Sequence, residues 1–330
     1  MNNTALDVTT IIAERILADV MHFRRTPKSN APCSAVSCKK CALPHLSKII
    51  FSVNRNEPVI FVLPGFPGKS PNPSKVLGHL PDYAEELALR FLDTLCQQIK
   101  KYYSPGINII LCSDGRVFSD VIGMQENHVT AYQIALDRLI SDMSLSDIST
   151  FNMDDLYQSV DFSRMRDELM NQYGKSLTFL KDKIQAGSRE SANADEKAAH
   201  RMFCGITRFL FEDAIHPEQT KSRTVIQKES RMNAYEVIRR SNAWSALIAA
   251  YFPKAVRLSI HPQACGSEKL GMRLIGNEIW MTPWHGVAVE TKTGPVLLKR
   301  SDAEKLGAEL IHDAFGRPSH YKLTEEIIHE

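Results

Sequence analysis

The sequence has no long hydrophobic run and no excess of charge of one sign. Its most apolar stretches, Val59–Phe66 and Ala246–Phe252, are far shorter than a membrane-spanning helix, which needs about 18 residues. Lys and Arg number 40 and Asp and Glu 38, and the basic residues are scattered along the chain. We therefore expect no nucleic acid and no membrane among its partners.

The N-terminus also lacks the apolar core of a secretory signal peptide, because Asp7, Glu14 and Arg15 interrupt its apolar residues. Without an export signal, the seven cysteines are expected to be reduced thiols, and an odd number agrees with that state. The expected compartment is the cytoplasm.

Three cysteines near the N-terminus have partial metal-site spacing. Cys33, Cys38 and Cys41 precede His45 in the pattern C-x4-C-x2-C-x3-H. The second C-x2-C pair of a zinc ribbon is absent, so we predict no metal and reduced cysteines on a flexible loop. A structural metal at these cysteines is the open alternative.

Several catalytic motifs are missing as well. HExxH, GxSxG and GxGxxG do not occur, which removes the usual support for metalloproteases, α/β-hydrolases and dinucleotide-dependent oxidoreductases. The segment GKS is not a P-loop, since the required first glycine is Leu63 and since Pro64 and Pro67 lack the amide donors of a phosphate cradle. The loop is stiff, and it presents Lys69 and Ser70 directly after a strand, as functional residues or as a solvated connector.

Three short apolar runs predict buried strands: Pro58–Leu63, Ile107–Cys112 and Ala255–Ile260. A helix from Pro81 to Tyr102 lies between the first two, and another from Asn233 to Tyr251 precedes the third. Strand–helix–strand order with uninterrupted apolar strands is typical of parallel sheets. All three strands end in polar loops on the same side, where open α/β sheets bind ligands.

We therefore predict an α/β fold with a Rossmann-like, largely parallel sheet and flanking helices. Residues 1–330 are expected to form a single catalytic domain. Within it we predict an N-terminal helix and loop (1–50), a helical insertion or cap (140–211) and a small C-terminal β-rich part of short strands (272–300).

The segment CSDGRVFSD follows the second predicted strand. Arg116 has the fork geometry that binds a phosphate or a carboxylate, while Asp114 or Asp120 can accept a substrate amine or move a proton. A structural Asp–Arg pair that closes a turn is the alternative.

Two further loops carry candidate groups. His216, Lys221 and Arg223 lie in IHPEQTKSR and suit an anion clamp. His261, at the end of the third strand, is a further candidate. The segment TPWHGVAVE offers Trp284 as an aromatic wall, His285 as a proton carrier and Glu290 as a carboxylate. A structural role is the alternative for each histidine.

At these segments the sequence resembles the pyoverdine/dityrosine biosynthesis family, whose bacterial members are isonitrile synthases of the PvcA type. The segments that carry the resemblance are FVLPGFPGKSPNPSKVLGHLPDYAEELAL (Phe61–Leu89), PGINIILCSDGRVFSD (Pro105–Asp120), HPEQTKSR (His216–Arg223) and PWHGVAVE (Pro283–Glu290). The resemblance extends from about residue 10 to residue 300.

This resemblance implies a Rossmann-like fold and a specific reaction. Family enzymes convert the α-amino group of an amino acid, often tyrosine or tryptophan, into an isonitrile, and the added carbon is the C2 carbonyl carbon of ribulose 5-phosphate. The resemblance implies ribulose 5-phosphate as a co-substrate and no redox or metal cofactor. It also implies a downstream oxygenase in the same secondary-metabolite pathway.

The resulting hypothesis assigns roles to the candidate residues. Phosphate is held by Lys69, Ser70, Lys221 and Arg223, and the amino-acid carboxylate by Arg116. The acid–base candidates are Asp114, Asp120, His216, His285 and Glu290, with a Schiff base at Lys69 as a further option.

One spatial expectation underlies these roles: Lys69, Arg116, His216 and Glu290 line a common pocket at one edge of the sheet. A phosphosugar aldolase or lyase, and a non-catalytic metabolite-binding module, are the alternatives in function.

Overall fold

The computed structural model describes residues 2–26, 33, 38–157, 161–275 and 281–323. Within these residues the strands form two sheets. The larger sheet is parallel, with strand order β3-β2-β1-β4-β5, and the smaller one is mixed, with strand order β7-β6-β9-β8. The strands are β1 Val59–Pro64, β2 Ile107–Cys112, β3 Ile148–Phe151, β4 Val256–Ser259, β5 Leu270–Gly271, β6 Val287–Thr291, β7 Gly294–Leu298, β8 Glu309–His312 and β9 Pro318–Lys322.

Ten α-helices lie within the described residues. They are α1 Asn2–His22, α2 Lys39–Asn54, α3 Tyr83–Lys100, α4 Gly115–Ile122, α5 Glu126–Asp142, α6 Phe162–Tyr173, α7 Leu177–Ala186, α8 Ala194–Ala214, α9 Arg223–Tyr251 and α10 Arg300–Lys305. Two 3-10 turns, Met153–Asp155 and Pro283–His285, complete the elements. None of the described helices is both long and apolar enough to cross a membrane.

The larger sheet is covered on both faces, which explains why its central strands β1 and β2 are almost wholly apolar. Phe61 and Leu63 of β1 contribute to a core that contains Leu89 of α3, whereas Val62 contributes to a second core with Trp244 of α9. The alternation follows from the two-residue period of a strand. The prediction of a Rossmann-like α/β fold with flanking helices is confirmed.

The strand order positions the ligand edge of the sheet. From the central strand β1 the chain proceeds outward to β2 and β3, and it then returns to place β4 and β5 on the other side of β1. Such a reversal leaves a crevice between the loops at the carboxyl ends of the strands.

Some predicted elements differ from the structure. The region predicted as a helical insertion contains β3, whose mixed sequence ISTF lies at the edge of the sheet and is partly exposed. Helix α9 begins at Arg223 instead of Asn233, and the expected cysteine loop includes the start of α2. Of the predicted C-terminal part at 272–300, residues 276–280 lie outside the described residues, and the division into parts stays a prediction.

Candidate active site

The candidate site is a cavity of about 420 Å³ at the carboxyl edge of the larger sheet. Its walls are the loop after β1, the segment 123–128 after α4, His216 and Arg300. A second cavity of about 260 Å³ adjoins it, and Pro71, Gly123 and His216 line both. Volumes of this order suit small metabolites.

The larger cavity is lined by nitrogen groups that can carry positive charge. The rings of His79 and His128 stack with centroids 4.1 Å apart, and Arg300 and His216 complete the set. Burial and the neighbouring His128 lower the pKa of His79. The described residues that line this cavity include no carboxylate and no thiol. The cavity is therefore suited to an anion.

Lys69 borders the cavity with its side chain turned into the protein. Its ammonium lies 2.8 Å from Asp82, 2.6 Å from Glu85 and 3.1 Å from the carbonyl oxygen of Pro283. An ammonium has three donors, and three acceptors surround this one. Burial acts to lower the pKa of Lys69, but the two carboxylates outweigh it and raise the pKa. Lys69 is therefore held as an ammonium, which disfavours both a Schiff base and direct contact with a phosphate.

Glu85 is the proton-holding member of this buried group. Burial raises the pKa of Glu85 to about 7, although Lys69 acts in the opposite direction. Two carboxylates share a single ammonium, so one of them favours its protonated form. The hydroxyl of Tyr132 also donates to Glu85 at 3.2 Å.

A second buried network holds the loop after β1 against α8. Ser70 Oγ donates to Asp213 Oδ1 at 2.8 Å, and Lys75 Nζ lies 2.6 Å from the same oxygen. The side-chain amide of Asn72 donates to the carbonyl oxygen of Ile215 at 3.0 Å. Ser70 therefore lines the cavity while its hydroxyl is already bound.

The loop after β2 packs directly on the loop after β1. A Cβ on Gly115 would lie 1.9 Å from the carbonyl oxygen of Pro67, so only glycine allows this approach. Phe66 adopts a φ of 55°, and such backbone strain is frequent at functional sites. Burial raises the pKa of the neighbouring Asp114 to about 7.

Arg116 is absent from the described linings of both cavities. Its guanidinium lies 2.5 Å from Asp154 and 4.6 Å from the ring centroid of Phe162. Arg116 is therefore paired with a carboxylate of the protein. The sequence hypothesis assigned to it the carboxylate of the amino-acid substrate.

Asp120 and Lys221 line the second cavity. Asp120 accepts from Arg240 at 2.5 Å, and Lys221 lies 2.8 Å from Glu229. Arg223, the first residue of α9, is exposed with its guanidinium 5.1 Å from the ring centroid of Phe211. The expected anion clamp is therefore divided, with His216 at both cavities, Lys221 at the second and Arg223 at neither.

The segment TPWHGVAVE divides between core and sheet. Trp284 is buried, 5.0 Å from the ring of Phe66, and it fills the space above Gly65 at the reversal of strand order, so it is a core residue. His285 accepts from or donates to Thr282 at 2.8 Å, and burial lowers its pKa to about 4.

Glu290 and His261 lie away from the larger cavity's described lining. Glu290 belongs to β6, which pairs with β7 and β9 instead of with the parallel sheet, and it lies 3.6 Å from His320. His261 follows β4, and its side chain is exposed. Lys69 and His216 therefore share a cavity, but the expectation that Arg116 and Glu290 join them is wrong.

Sequence reasoning missed several groups of the site. His79, His128 and Arg300 line the cavity, and Glu85 and Asp213 anchor the loop after β1. Asp82 and Glu85 have the spacing of a helix N-terminus and do form a capping box, which conceals their second role. For Asp213, the penultimate residue of α8, the sequence gives no signal.

Comparison with known proteins shows which family this chain is similar to. The family model described as pyoverdine/dityrosine biosynthesis protein matches residues 49–311. The L-tryptophan isonitrile synthase AmbI2 of Fischerella ambigua is 43% identical over 317 residues, which cover 96% of this chain and 93% of that protein. An L-tyrosine isonitrile synthase of Pseudomonas aeruginosa is 41% identical and covers 94% of this chain and 93% of its own length.

A solved structure is similar as well. The crystal structure of the PvcA protein from Pseudomonas aeruginosa superposes with a TM-score of 0.88 at 40% identity, covering 95% of this chain and all of that one. The match in sequence and the match in structure each extend over nearly the whole chain. The chain therefore belongs to the pyoverdine/dityrosine biosynthesis family.

Proposed function

We propose that this enzyme is an isonitrile synthase, which converts the α-amino group of an aromatic amino acid to an isonitrile with ribulose 5-phosphate as the carbon donor. The observation that carries the proposal is the cavity lined by imidazoles and a guanidinium, with no carboxylate among its described lining residues. Behind it, Glu85 contacts the lining residue Lys69 and has a pKa raised to about 7 by burial.

The relatives support the isonitrile product and an aromatic substrate. Those named for a substrate are L-tryptophan or L-tyrosine isonitrile synthases, with identities from 38% to 43%. Ribulose 5-phosphate rests on the resemblance to the family and on the fit of the cavity to a phosphorylated ketose.

In this proposal the phosphate lies among His79, His128 and Arg300. Two imidazoles and a guanidinium can donate several charge-assisted hydrogen bonds to phosphate oxygens. The dianion would in turn favour protonation of the stacked histidines, which repel each other when both are charged. This differs from the sequence hypothesis, in which the phosphate is held by Lys69, Ser70, Lys221 and Arg223.

His216 is the central acid–base candidate because it is the one titratable residue shared by the described linings of the two cavities. Imine formation requires attack of a neutral amine on the C2 ketone, loss of a proton from the nitrogen, and protonation of the resulting hydroxyl so that it leaves as water. A group between two substrate sites can serve both steps. Asp114 and Glu85, with pKa values near 7, can also exchange protons at neutral pH.

The test is mass spectrometry of products formed by the purified full chain. Reactions contain ribulose 5-phosphate labelled with ¹³C at C2 and each of the twenty amino acids in turn. We expect an isonitrile that carries the label with tryptophan or tyrosine, and no such product when either substrate is omitted. Consumption of ribulose 5-phosphate at the same rate without an amino acid would favour an aldolase or lyase instead.

A binding module is the remaining alternative. It would bind one of these compounds in calorimetry and leave both compounds chemically unchanged during a long incubation. In the proposed pathway an oxygenase acts on the isonitrile, and no redox or metal cofactor takes part in the step described here.

A further inference from the structure

Four cysteines from separate parts of the sequence converge in space. The thiol sulfurs of Cys33, Cys38, Cys41 and Cys265 all lie within 4.8 Å of one another. Cys38 is the N-cap of α2 and Cys41 lies in its first turn, whereas Cys265 belongs to the loop between β4 and β5. The other three cysteines of the chain do not join this group.

The distances fit a tetrathiolate metal site better than they fit a disulfide. Cys33 Sγ lies 3.1 Å from Cys41 Sγ, and Cys38 Sγ lies 3.7 Å from Cys265 Sγ. A disulfide needs a sulfur–sulfur distance of about 2.0 Å. Tetrahedral zinc with Zn–S bonds of about 2.3 Å places its sulfurs about 3.8 Å apart.

Two of the four cysteines lie where a thiolate is stabilised. Cys38 and Cys41 lie at the N-terminus of a 16-residue helix, where the backbone dipole stabilises negative charge. Arg24 donates to the carbonyl oxygen of Cys33 at 2.9 Å. The chain of Lys40 packs over Gly266, next to Cys265. The guanidinium of Arg24 therefore lies beside a group that would carry excess negative charge with a divalent ion bound.

We propose that Cys33, Cys38, Cys41 and Cys265 form a structural zinc site. Four thiolates complete the tetrahedral shell, so no position is open for a substrate or for water. The sequence hypothesis offered His45 as a neighbouring ligand and predicted no metal. The structure replaces His45 with Cys265, which is more than 200 residues away in the chain and therefore invisible to local spacing.

The site would fasten the N-terminal region to the ligand edge of the sheet. Cys265 belongs to the loop at the carboxyl end of β4, and the other three cysteines precede or begin α2. Metal binding would therefore hold that loop without taking part in the reaction, and the inference does not depend on the proposed activity.

The experiment measures the metal content of the purified full-length chain by elemental mass spectrometry. We expect about one zinc ion per chain in the wild type, and loss of most of it in Cys265→Ser and in Cys38→Ser. The matched control is Cys204→Ser, since Cys204 is an exposed cysteine outside the group, and it should retain the zinc. Zinc-free wild type, or equal zinc in Cys265→Ser, would overturn the proposal.

A second measurement decides the matter where a serine variant fails to fold. Wild-type protein in which cobalt replaces zinc should show the thiolate-to-metal charge-transfer and visible bands of tetrahedral sulfur coordination. After denaturation with a chelator, all seven cysteines should react with a thiol reagent. A cobalt spectrum without thiolate bands, or two unreactive cysteines joined as a disulfide, would contradict a zinc site.

Discussion

At the scale of single residues, the buried charges of this protein serve two purposes. Lys69, Asp82 and Glu85 are nearly inaccessible, and they hold the loop after β1 to the start of α3. The same group keeps a carboxyl with a raised pKa next to the candidate cavity. A residue that borders the site can thus be essential through structure instead of through contact with substrate.

This arrangement predicts that Lys69→Met destabilises the protein strongly. Removing the ammonium leaves two buried carboxyl groups without their cation, which costs about 3–5 kcal/mol of the free energy of unfolding. Urea denaturation at pH 8 measures it. The control is Lys305→Met, because the exposed pair of Lys305 with Asp302 should contribute no more than about 0.5 kcal/mol. Equal stability of the two variants would refute the buried ion group.

His216→Gln tests the shared lining of the two cavities. The imidazole is partly buried and one of its nitrogens has no hydrogen-bond partner in the structure, so its loss should leave stability nearly unchanged. We expect kcat to fall about 100-fold, the scale of a lost general acid or base. His312→Gln, at an exposed position on β8, should keep wild-type activity. A His216→Gln variant with unchanged kcat would remove His216 from the chemistry.

The raised pKa of Asp114 predicts a pH-dependent stability. Because its pKa is about 7 in the folded state and 3.8 ordinarily, the folded protein binds the proton more tightly than the unfolded chain does. The stabilisation is present in full below about pH 4 and is lost as the pH rises through about 7. The wild type should therefore lose stability between about pH 5 and pH 7.5 relative to Asp114→Asn. Parallel curves for the two proteins would show an ordinary pKa.

At this scale the sequence could identify Lys69, Ser70 and His216 as neighbours of the site, because each follows an element that ends at the sheet edge. It could not identify the partners of Lys69 or Ser70. Asp213 lies more than 140 residues from Ser70 in the chain, and nothing local marks their contact.

At the scale of elements, the site depends on the close approach of two loops at Gly115. Gly115→Ala would place a methyl group inside the contact distance of the Pro67 carbonyl. We expect a cost of about 1–3 kcal/mol in the free energy of unfolding, together with loss of activity, since the loop after β1 must shift.

Its matched control is Gly205→Ala in α8, where a Cβ would meet nothing within 4 Å. Alanine is the better helix former, so this change should raise the free energy of unfolding by up to about 1 kcal/mol. Thermal denaturation compares the pair. If both substitutions had the same effect, the packing of α4 on the loop after β1 would not matter.

Elements with uniform burial were predictable, and elements at edges were not. β1 and β2 lie in the middle of the sheet and are almost wholly apolar, so their sequence alone indicates a strand. β3 lies at the sheet edge with two of its four residues at least partly exposed, and its pattern resembles the polar helices around it. In β8 and β9 only Tyr321 is buried, so these strands lack the apolar pattern of the central ones and the sequence does not indicate them.

At the scale of the whole molecule, α10, which connects β7 to β8 of the small sheet, borders the site. The backbone amides of Arg300 and Ser301 donate to the carbonyl oxygens of Lys75 and Ser74, at 3.1 and 2.9 Å. These bonds tie α10 to the loop after β1 and bring Arg300 to the cavity. Glu290 lies on β6 of the same small sheet. The segment TPWHGVAVE that contains it therefore has a structural role at this sheet.

The family could be identified from sequence because long segments around the two loops match it, whereas the shape of the cavity could not. That shape arises from contacts between the loop after β1, His216 and Arg300, which come from distant parts of the chain. Loop conformations of this type depend on tertiary contacts more than on local preference.

The most direct test of the proposed site is a crystal structure of this protein with ribulose 5-phosphate bound. We expect the phosphate beside His79, His128 and Arg300, and the C2 carbonyl within hydrogen-bond reach of His216. The ammonium of Lys69 should remain between Asp82 and Glu85. A phosphate bound outside this cavity, or a covalent bond from Lys69 to C2, would contradict the proposed site.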